Sequence, residues 1–568
     1  MWQFLGKQIL RYGYFLLALI IIATTFFGWH AGKTKLSYEF AKAIPTDNAK
    51  YIAYQQFRKQ FGDDGNLLVI GIQTKNLFSE KVFNDYRKLH HSIKELSGVV
   101  EIISLPMAIN LVRDDASEKL IAVPIFNDTI LNQAEIDSSK NVFFNLPFYR
   151  GLMYNAQTNA WLMGVKIDAA ILASPKRSAV VTQIMNQVNY FGNENKIEIH
   201  VSGLPYIRTV ISDKIQKEMG FFLVGSLFLS ALILLLFFRS FSAMFLSLAV
   251  VLIGVVWSVG IMHLMGYKIT LLTALIPPLI VVIGIPNCIY FLNKYHTSFK
   301  ELGNKREAIL QMISKMGIVT LFCNIAAAIG FAVFALTESE ILKEFGLVAG
   351  VSIMLLFFIS LVLIPVTLNI MKPPSARHTR YLNNKSLLNW LDRLEVWSVD
   401  HRKIIYAITT VVLFVSIVGI TKLKSVGYIV DDLPKNDKIY TDLKFFETHF
   451  GGVMPLEIVV DTKKKYGVTR NLNNLLKIDS LVQYLAQQPY AGKPLTITEG
   501  LKFAKQGFFE GDSNYYIMPG ENDLIALRPY LATSNNSAGA KNSFSKLTTT
   551  FMDSTRQQAR ISVSIKDI

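Results

Sequence analysis

Residues 269–292 read ITLLTALIPPLIVVIGIPNCIYFL, an apolar run broken by Pro277, Pro278 and Pro286 and followed through Pro286 by Asn287. A proline inside a helix donates no backbone N–H, so Pro286 leaves a carbonyl unsatisfied where few polar groups are at hand. Asn287 needs a hydrogen-bond partner in the same apolar setting. Two chemistries fit these residues. One is a kinked packing helix whose asparagine bonds a neighbour. The other is a broken helix on a transport pathway, where an amide and freed carbonyls meet a cation. Enzyme chemistry finds no support: a P-loop, a zinc-binding HExxH and a GxSxG elbow are all absent. The nine histidines are scattered, and the pair His90 and His91 reads as a solvated helix face rather than a metal site. No catalytic residue, metal or cofactor is expected. Cys288 and Cys323 lie inside apolar runs, which excludes a disulfide framework in soluble parts. The two thiols are placed to face each other between neighbouring runs, although buried thiols ordinarily behave as small hydrophobes.

The elements that carry these residues follow from composition. Of 568 residues 51% are hydrophobic, and the mean hydropathy is +0.33. That is high for a soluble chain and points to membrane spans. Seven runs are long enough to cross a bilayer: residues 14–29, 221–238, 243–265, 269–292, 316–336, 345–370 and 404–420. The formal net charge of +16 does not imply nucleic acid, because the basic residues crowd short loops between the runs. Residues 293–315 carry Lys294, Lys300, Lys305, Arg306 and Lys315, and residues 371–403 carry Lys372, Arg377, Arg380, Lys385, Arg393, Arg402 and Lys403. With all seven runs spanning, both loops, Arg239 and the N-terminus share one side, cytoplasmic by the positive-inside rule. The first run, preceded by Lys7 and Arg11, looks like a signal peptide, but no small-x-small cleavage site follows it. It is read as a retained helix.

Two long polar segments then lie on the opposite side. The first alternates strand-like runs at residues 67–72, 99–103, 162–167 and 197–201 with helical periodicity at residues 81–96 and 178–190. This predicts an α+β domain with a mixed or antiparallel sheet. A helix starting at Pro205 and Tyr206 is expected to run on into the second span. The Asn- and Ser-rich stretches 127–141 and 532–542 read as loops. The chain also begins twice. Pro45, Tyr51, Phe57, Phe61 and Gly62 recur at constant offset as Pro434, Tyr440, Phe446, Phe450 and Gly451. Each copy follows an apolar run and precedes a strand-like stretch, the second being residues 456–460, and residues 559–568 alternate like residues 161–168. The expectation is an internal repeat whose second half is incomplete, with about five further spans to follow by analogy with the first half.

At this point the sequence resembles a family. Residues 284–296, GIPNCIYFLNKYH, are similar to the fourth-helix motif of the resistance–nodulation–division (RND) superfamily, nearest its MMPL-like and Patched-like branches. Gly284, Ile285, Asn287, Lys294 and Tyr295 fit that motif. Residues 323–336, CNIAAAIGFAVFAL, resemble the fifth-helix pattern through Asn324, Ala328, Ile329, Gly330 and Phe331, with Ala326 and Ala327 where threonines are usual. Glu344, Phe345 and Gly346 resemble the start of the sixth helix, and Ile364 and Pro365 its end. The resemblance implies a polytopic α-helical membrane protein with two α+β extracytoplasmic, porter-like domains. It implies boundaries of 1–29 for the N-terminal region and first helix, 30–219 for the first domain and 220–371 for a five-helix bundle. Residues 372–403 form a cytoplasmic linker, 404–420 the seventh helix and 421–568 the second, incomplete domain.

The function implied is export of hydrophobic or amphipathic substrates, lipids above all, through a bacterial inner membrane, driven by an ion gradient and not by enzymatic chemistry. The large domains would face the periplasm. Membrane lipids, the apolar substrate and periplasmic or envelope proteins are the partners implied. Gly284, Pro286, Asn287, Tyr290, Asn324 and Glu344 are the expected transport-pathway residues. One departure matters: many relatives carry a titrating aspartate where this chain has Pro286, and no Asp or Glu sits deep in any of the seven runs. Three accounts stand. The titrating groups lie in the second bundle, a cation binds at Asn287 and the freed carbonyls, or the protein is not proton-driven. The same fold also serves sensors of the sterol-sensing type and translocation accessories, which are the rival readings.

Overall fold

The computed structural model describes residues 1–34, 47–62, 65–116, 118–127, 130–270, 272–374, 385–423, 434–452, 454–531 and 550–566, with side chains from residue 389 in the seventh of these stretches. These residues are mostly helical, with small antiparallel sheets, and among them seven helices are long and apolar enough to cross a membrane, as befits a polytopic membrane protein. The chain divides into two compact units, one of Met1–Asn48 with Ser212–Val426 and one of Ala49–Ile211 with Gly427–Ile568.

The first unit holds the spans: Gly13–Ala31, most of Leu204–Phe238, Phe241–Leu264, Thr273–Leu302, Lys305–Leu336, Glu340–Ile370 and Arg402–Thr421. Its interior lies where the third, fourth and sixth spans meet. Glycines let them approach: a Cβ on Gly284 would stand 2.8 Å from Val251 and 3.3 Å from Leu356, and one on Gly254 would stand 2.8 Å from Leu356. The first span lies along the third, where the Trp257 indole donates to Thr24 Oγ1 at 3.0 Å. Near the same ends His30 and His263 bring their rings to 5.4 Å. An N-terminal helix, Trp2–Arg11, precedes the first span and rests on the fifth, with Trp2 over Gly317 and Gly6 against Leu310 and Ile313. No residue of the seventh span is buried. The stretch read as a linker contains a helix, Lys385–Asp400.

The cysteines do not face each other. Cys288 is buried with its Sγ toward the Ser247 carbonyl at 3.9 Å, whereas Cys323 is exposed, because the helix twist turns these positions to different faces.

The second unit is built on strands β1 (Leu67–Gln73), β2 (Val99–Ile103), β3 (Ile109–Asp114), β4 (Lys119–Pro124), β5 (Tyr154–Asn155), β6 (Ala160–Ile167), β7 (Ile199–Ser202), β8 (Met454–Asp461) and β9 (Gln558–Ile565). The main sheet runs β2-β6-β1-β7, with β5 on β6, and all its pairings are antiparallel. Helices Glu80–Lys94 and Lys176–Asn195 contribute Phe83, Tyr86, Ile93, Ile184 and Val188 to the core on one face. The β1 sequence LLVIGIQ is buried through its centre rather than alternately, so its other face is covered too. The cover is helix Lys438–Phe450, whose Phe445, Phe446 and Phe450 pack on Val69 and Ala160. Gly71 makes the room, since a Cβ there would stand 2.5 Å from the Phe445 ring. Burying such a ring contributes about 2–3 kcal/mol.

Segments far apart in sequence therefore share one unit. Helix Ala49–Phe61 meets β9: Gln60 Nε2 donates to Gln558 Oε1 at 2.7 Å, and the Arg560 guanidinium lies 5.3 Å from the centre of the Phe57 ring. Phe57 and Phe446, matched in the sequence, each lie against a strand from the other segment. Ile44, Pro45 and Leu433 of the matched stretches lie outside the described residues, as does the 532–542 loop.

Two local expectations are corrected. Residues Gln133–Phe144 form a helix, not a loop. Asn132 caps it by accepting from Glu135 N at 3.0 Å, and the Glu135 carboxylate accepts from Asn132 N at 2.9 Å. This capping box turns loop-like residues into a helix start. His90 is buried, not solvated, with Nδ1 2.8 Å from Ser104 Oγ. It falls seven residues after Phe83 and three before Ile93, on the apolar face of its helix.

A buried charge cluster closes the second segment. Lys502 Nζ lies 2.6 Å from Asp479 and 2.8 Å from Glu499, and Tyr516 donates to Glu499 at 2.6 Å. Lys493 reaches the carbonyls of Pro147 and Phe148, both at 2.9 Å, and burial pushes its amine down to about 8 against the pull of Glu499. Burial alone would raise the Glu499 carboxyl. The hydrogen bonds from Lys502 and Tyr516 outweigh it and hold the group below its ordinary 4.5. A carboxyl depressed in the fold contributes stability that is present above its unfolded value and lost as pH falls through the folded one. Thermal melts of the protein should therefore lose stability below about pH 4.5, and Glu499→Gln should flatten that slope. An unchanged slope would remove Glu499 from the acid response.

Candidate functional site

The fourth span begins with Pro277 in its first turn, where a missing N–H costs nothing, and stays helical from Ile276 to Leu302 through Pro286. The fifth span places Thr320 and Asn324 one turn apart on its buried face. Asn287 and Asn324 meet there. Asn287 Nδ2 donates to Asn324 Oδ1 at 3.1 Å, and Asn324 Nδ2 donates back to Asn287 Oδ1 at 3.2 Å and to the Thr320 carbonyl at 2.7 Å. The side chains are 3% and 1% exposed. Each amide satisfies the other, which removes the cost of burying them singly in an apolar bundle. The pair is neutral, so it does not titrate.

The other expected residues sit elsewhere. Gly284 is an interior contact against Val251 and Leu356. Pro286 and Tyr290, one turn apart, lie on the exposed stripe of the fourth span with Val282. Asn287 faces inward while Pro286 faces outward, so the amide and the proline-disrupted backbone stripe occupy different faces of the helix. Glu344 is half-buried in the second turn of helix Glu340–Ile370, beside an exposed Lys343–Glu340 pair at 3.1 Å. Asn287 and Asn324 are thus the expected residues that meet side chain to side chain.

Sequence reasoning missed one feature of this unit. The fifth and sixth spans are drawn together at Gly346, where a Cβ would stand 2.5 Å from the Phe331 carbonyl, and at Gly350, where it would stand 3.2 Å from that of Ala328. Beside this contact an open apolar groove of about 430 Å³ is lined by Ala328, Ile329, Ala332, Leu347, Val351 and Met354, among others. Its lining carries no charged or polar side chain. The signal was legible: Gly346 and Gly350 lie four apart, as do Ala328 and Ala332, the small-x-x-x-small spacing of closely packed membrane helices. Among the described residues no group of three or more His, Cys, Asp or Glu side chains is placed to hold a metal.

Comparison with known proteins gives two findings. The family model described as the MMPL family matches residues 42–391. A protein of Methanocaldococcus jannaschii, whose name describes it only as a membrane protein, is 23% identical over 368 residues, which is 62% of this chain and 89% of that protein.

Proposed function

This chain belongs to the MMPL family, and from that membership we propose that it exports hydrophobic or amphipathic molecules, lipids above all, through a bacterial inner membrane at the expense of an ion gradient. Family membership supports a transporter-like function. The choice of cargo is carried by the groove between the fifth and sixth spans. A groove lined wholly by Ala, Gly, Ile, Leu, Met and Val side chains offers nothing to a hydrated solute and suits an acyl chain. In this reading the spans carry apolar cargo on their outer faces while the Asn287–Asn324 pair acts as a neutral joint between the fourth and fifth spans. Among the described residues the bundle interior offers no acid to load a proton, so a coupled proton would be carried by groups outside it. The second unit would lie on the periplasmic side, meeting cargo and envelope partners, and the matched helices Ala49–Phe61 and Lys438–Phe450 would mark a two-fold repeat.

Filling the groove tests the cargo. Ile329 is 59% and Val351 42% exposed at its rim, so a larger ring is accommodated there without entering the interior. Ile329→Trp and Val351→Trp should each lower transport of a labelled lipid by about tenfold at unchanged protein level, the equivalent of roughly 1.4 kcal/mol. Undiminished transport in both variants would take the groove out of the pathway.

A further inference from the structure

A second cavity, of about 380 Å³, lies between the N-terminal helix Trp2–Arg11 and the start of the fifth span. It is walled by Lys7 from the first of these and by Glu307, Leu310, Gln311, Ser314 and Lys315 from the second. Its place relative to the membrane follows from the sequence. Lys315 is the last polar residue before the apolar run 316–336, and Lys7 stands shortly before the span Gly13–Ala31. The cavity is therefore at the border between apolar core and water, at headgroup level, whichever side that border faces.

Its chemistry is two-signed. Lys7, Glu307 and Lys315 form no ion pair among the described residues, although they line one cavity. Lys305, nearby in sequence, is by contrast committed to the carbonyls of Asn369 and Met371 at the end of the sixth span. The Oε1 atom of Gln311 is buried and has no hydrogen-bond partner. A buried acceptor left unpaired is costly unless something donates to it. Two cations and a hydroxyl (Ser314) suit a phosphodiester. A carboxylate and an orphaned amide oxygen suit a terminal N–H or O–H donor. Leu310 supplies apolar wall for the chain that follows.

We propose that this cavity binds the headgroup of a membrane phospholipid with a protic terminus, ethanolamine or glycerol, its phosphate between Lys7 and Lys315 and its donor end on Gln311 and Glu307. The site is separate from the groove assigned to cargo and does not depend on transport. Choline is the discriminating headgroup, because it carries the same phosphate but no N–H or O–H for Gln311.

The test is native mass spectrometry of the full-length protein with phosphatidylethanolamine, phosphatidylglycerol or phosphatidylcholine of identical chains. The protic lipids should be retained about fivefold over phosphatidylcholine, in keeping with one charge-assisted hydrogen bond. Lys7→Gln with Lys315→Gln should abolish that retention, Lys315→Arg should keep it, and Gln311→Leu should erase the discrimination against choline. Ile329→Trp, in the cargo groove, should leave the preference intact, so that failure of the export reading and failure of this site give different results. Ethanolamine retained over glycerol, or the reverse, identifies which protic headgroup the site takes. Equal retention of phosphatidylcholine, retention indifferent to the double lysine variant, or displacement of bound lipid by millimolar inorganic phosphate would each overturn the proposal.

Discussion

Asp442→Ala is expected to destabilise the second unit by about 3 kcal/mol, the lower end of the range for breaking a buried charged contact. Asp442 is fully buried and works on the free edge of β7. Its Oδ2 accepts from Val201 N at 3.0 Å, and its Oδ1 lies 2.9 Å from His200 Nδ1 and 3.1 Å from Lys438 Nζ. Lys438 also donates to the Ile199 carbonyl at 2.9 Å. One carboxylate thus satisfies a sheet edge and fixes the helix that covers the far face of β1. Removing it strands the Val201 N–H and the imidazole beneath the stacked Phe445 ring, 4.0 Å away. The cost stays at the lower end because Lys438 is half exposed and water takes over its charge. Asp442→Asn keeps an acceptor for Val201 and should cost about half as much, and Lys438→Ala less than about 1 kcal/mol. Denaturant melts of the three variants check the order; equal costs would mean that the carboxylate does not organise the edge.

The second large effect is in the membrane bundle. Asn324→Leu should cost about 1–2 kcal/mol, because it leaves the Asn287 amide buried without its partner. Asn287→Leu should cost less, since Asn324 keeps its bond to the Thr320 carbonyl. The double variant should be more stable than Asn324→Leu alone, as two apolar side chains replace a satisfied pair with no orphan left. Thermal stability in detergent measures the cycle. Additive losses would show that the two amides do not depend on each other.

Much of this was legible beforehand. The seven spans were readable because twenty apolar residues in a row admit few other fates, and the helix from Leu204 into the second span followed from its proline start. Asn287 and Asn324 stood out by type, but their pairing did not, because it depends on the register of two helices rather than on either sequence. His90 was misread from its polarity although its spacing from Phe83 and Ile93 placed it inward. The loop assigned to residues 127–141 failed on Asn132, whose side chain starts the helix that its neighbours disfavour. Least legible was the packing of Phe57 and Phe446 on strands from the other segment. Their recurrence marked them as related, yet nothing local states which sheet an amphipathic helix will cover.

The central claim is that the Asn287–Asn324 pair is a working joint of a gradient-driven exporter. The most direct measurement is efflux of a labelled lipid from vesicles holding the full-length protein under an imposed ion gradient, with the Asn287→Leu/Asn324→Leu variant beside the unaltered chain. The account predicts gradient-dependent efflux that falls at least about tenfold in the variant while the protein remains folded. Equal efflux from the two proteins would contradict it.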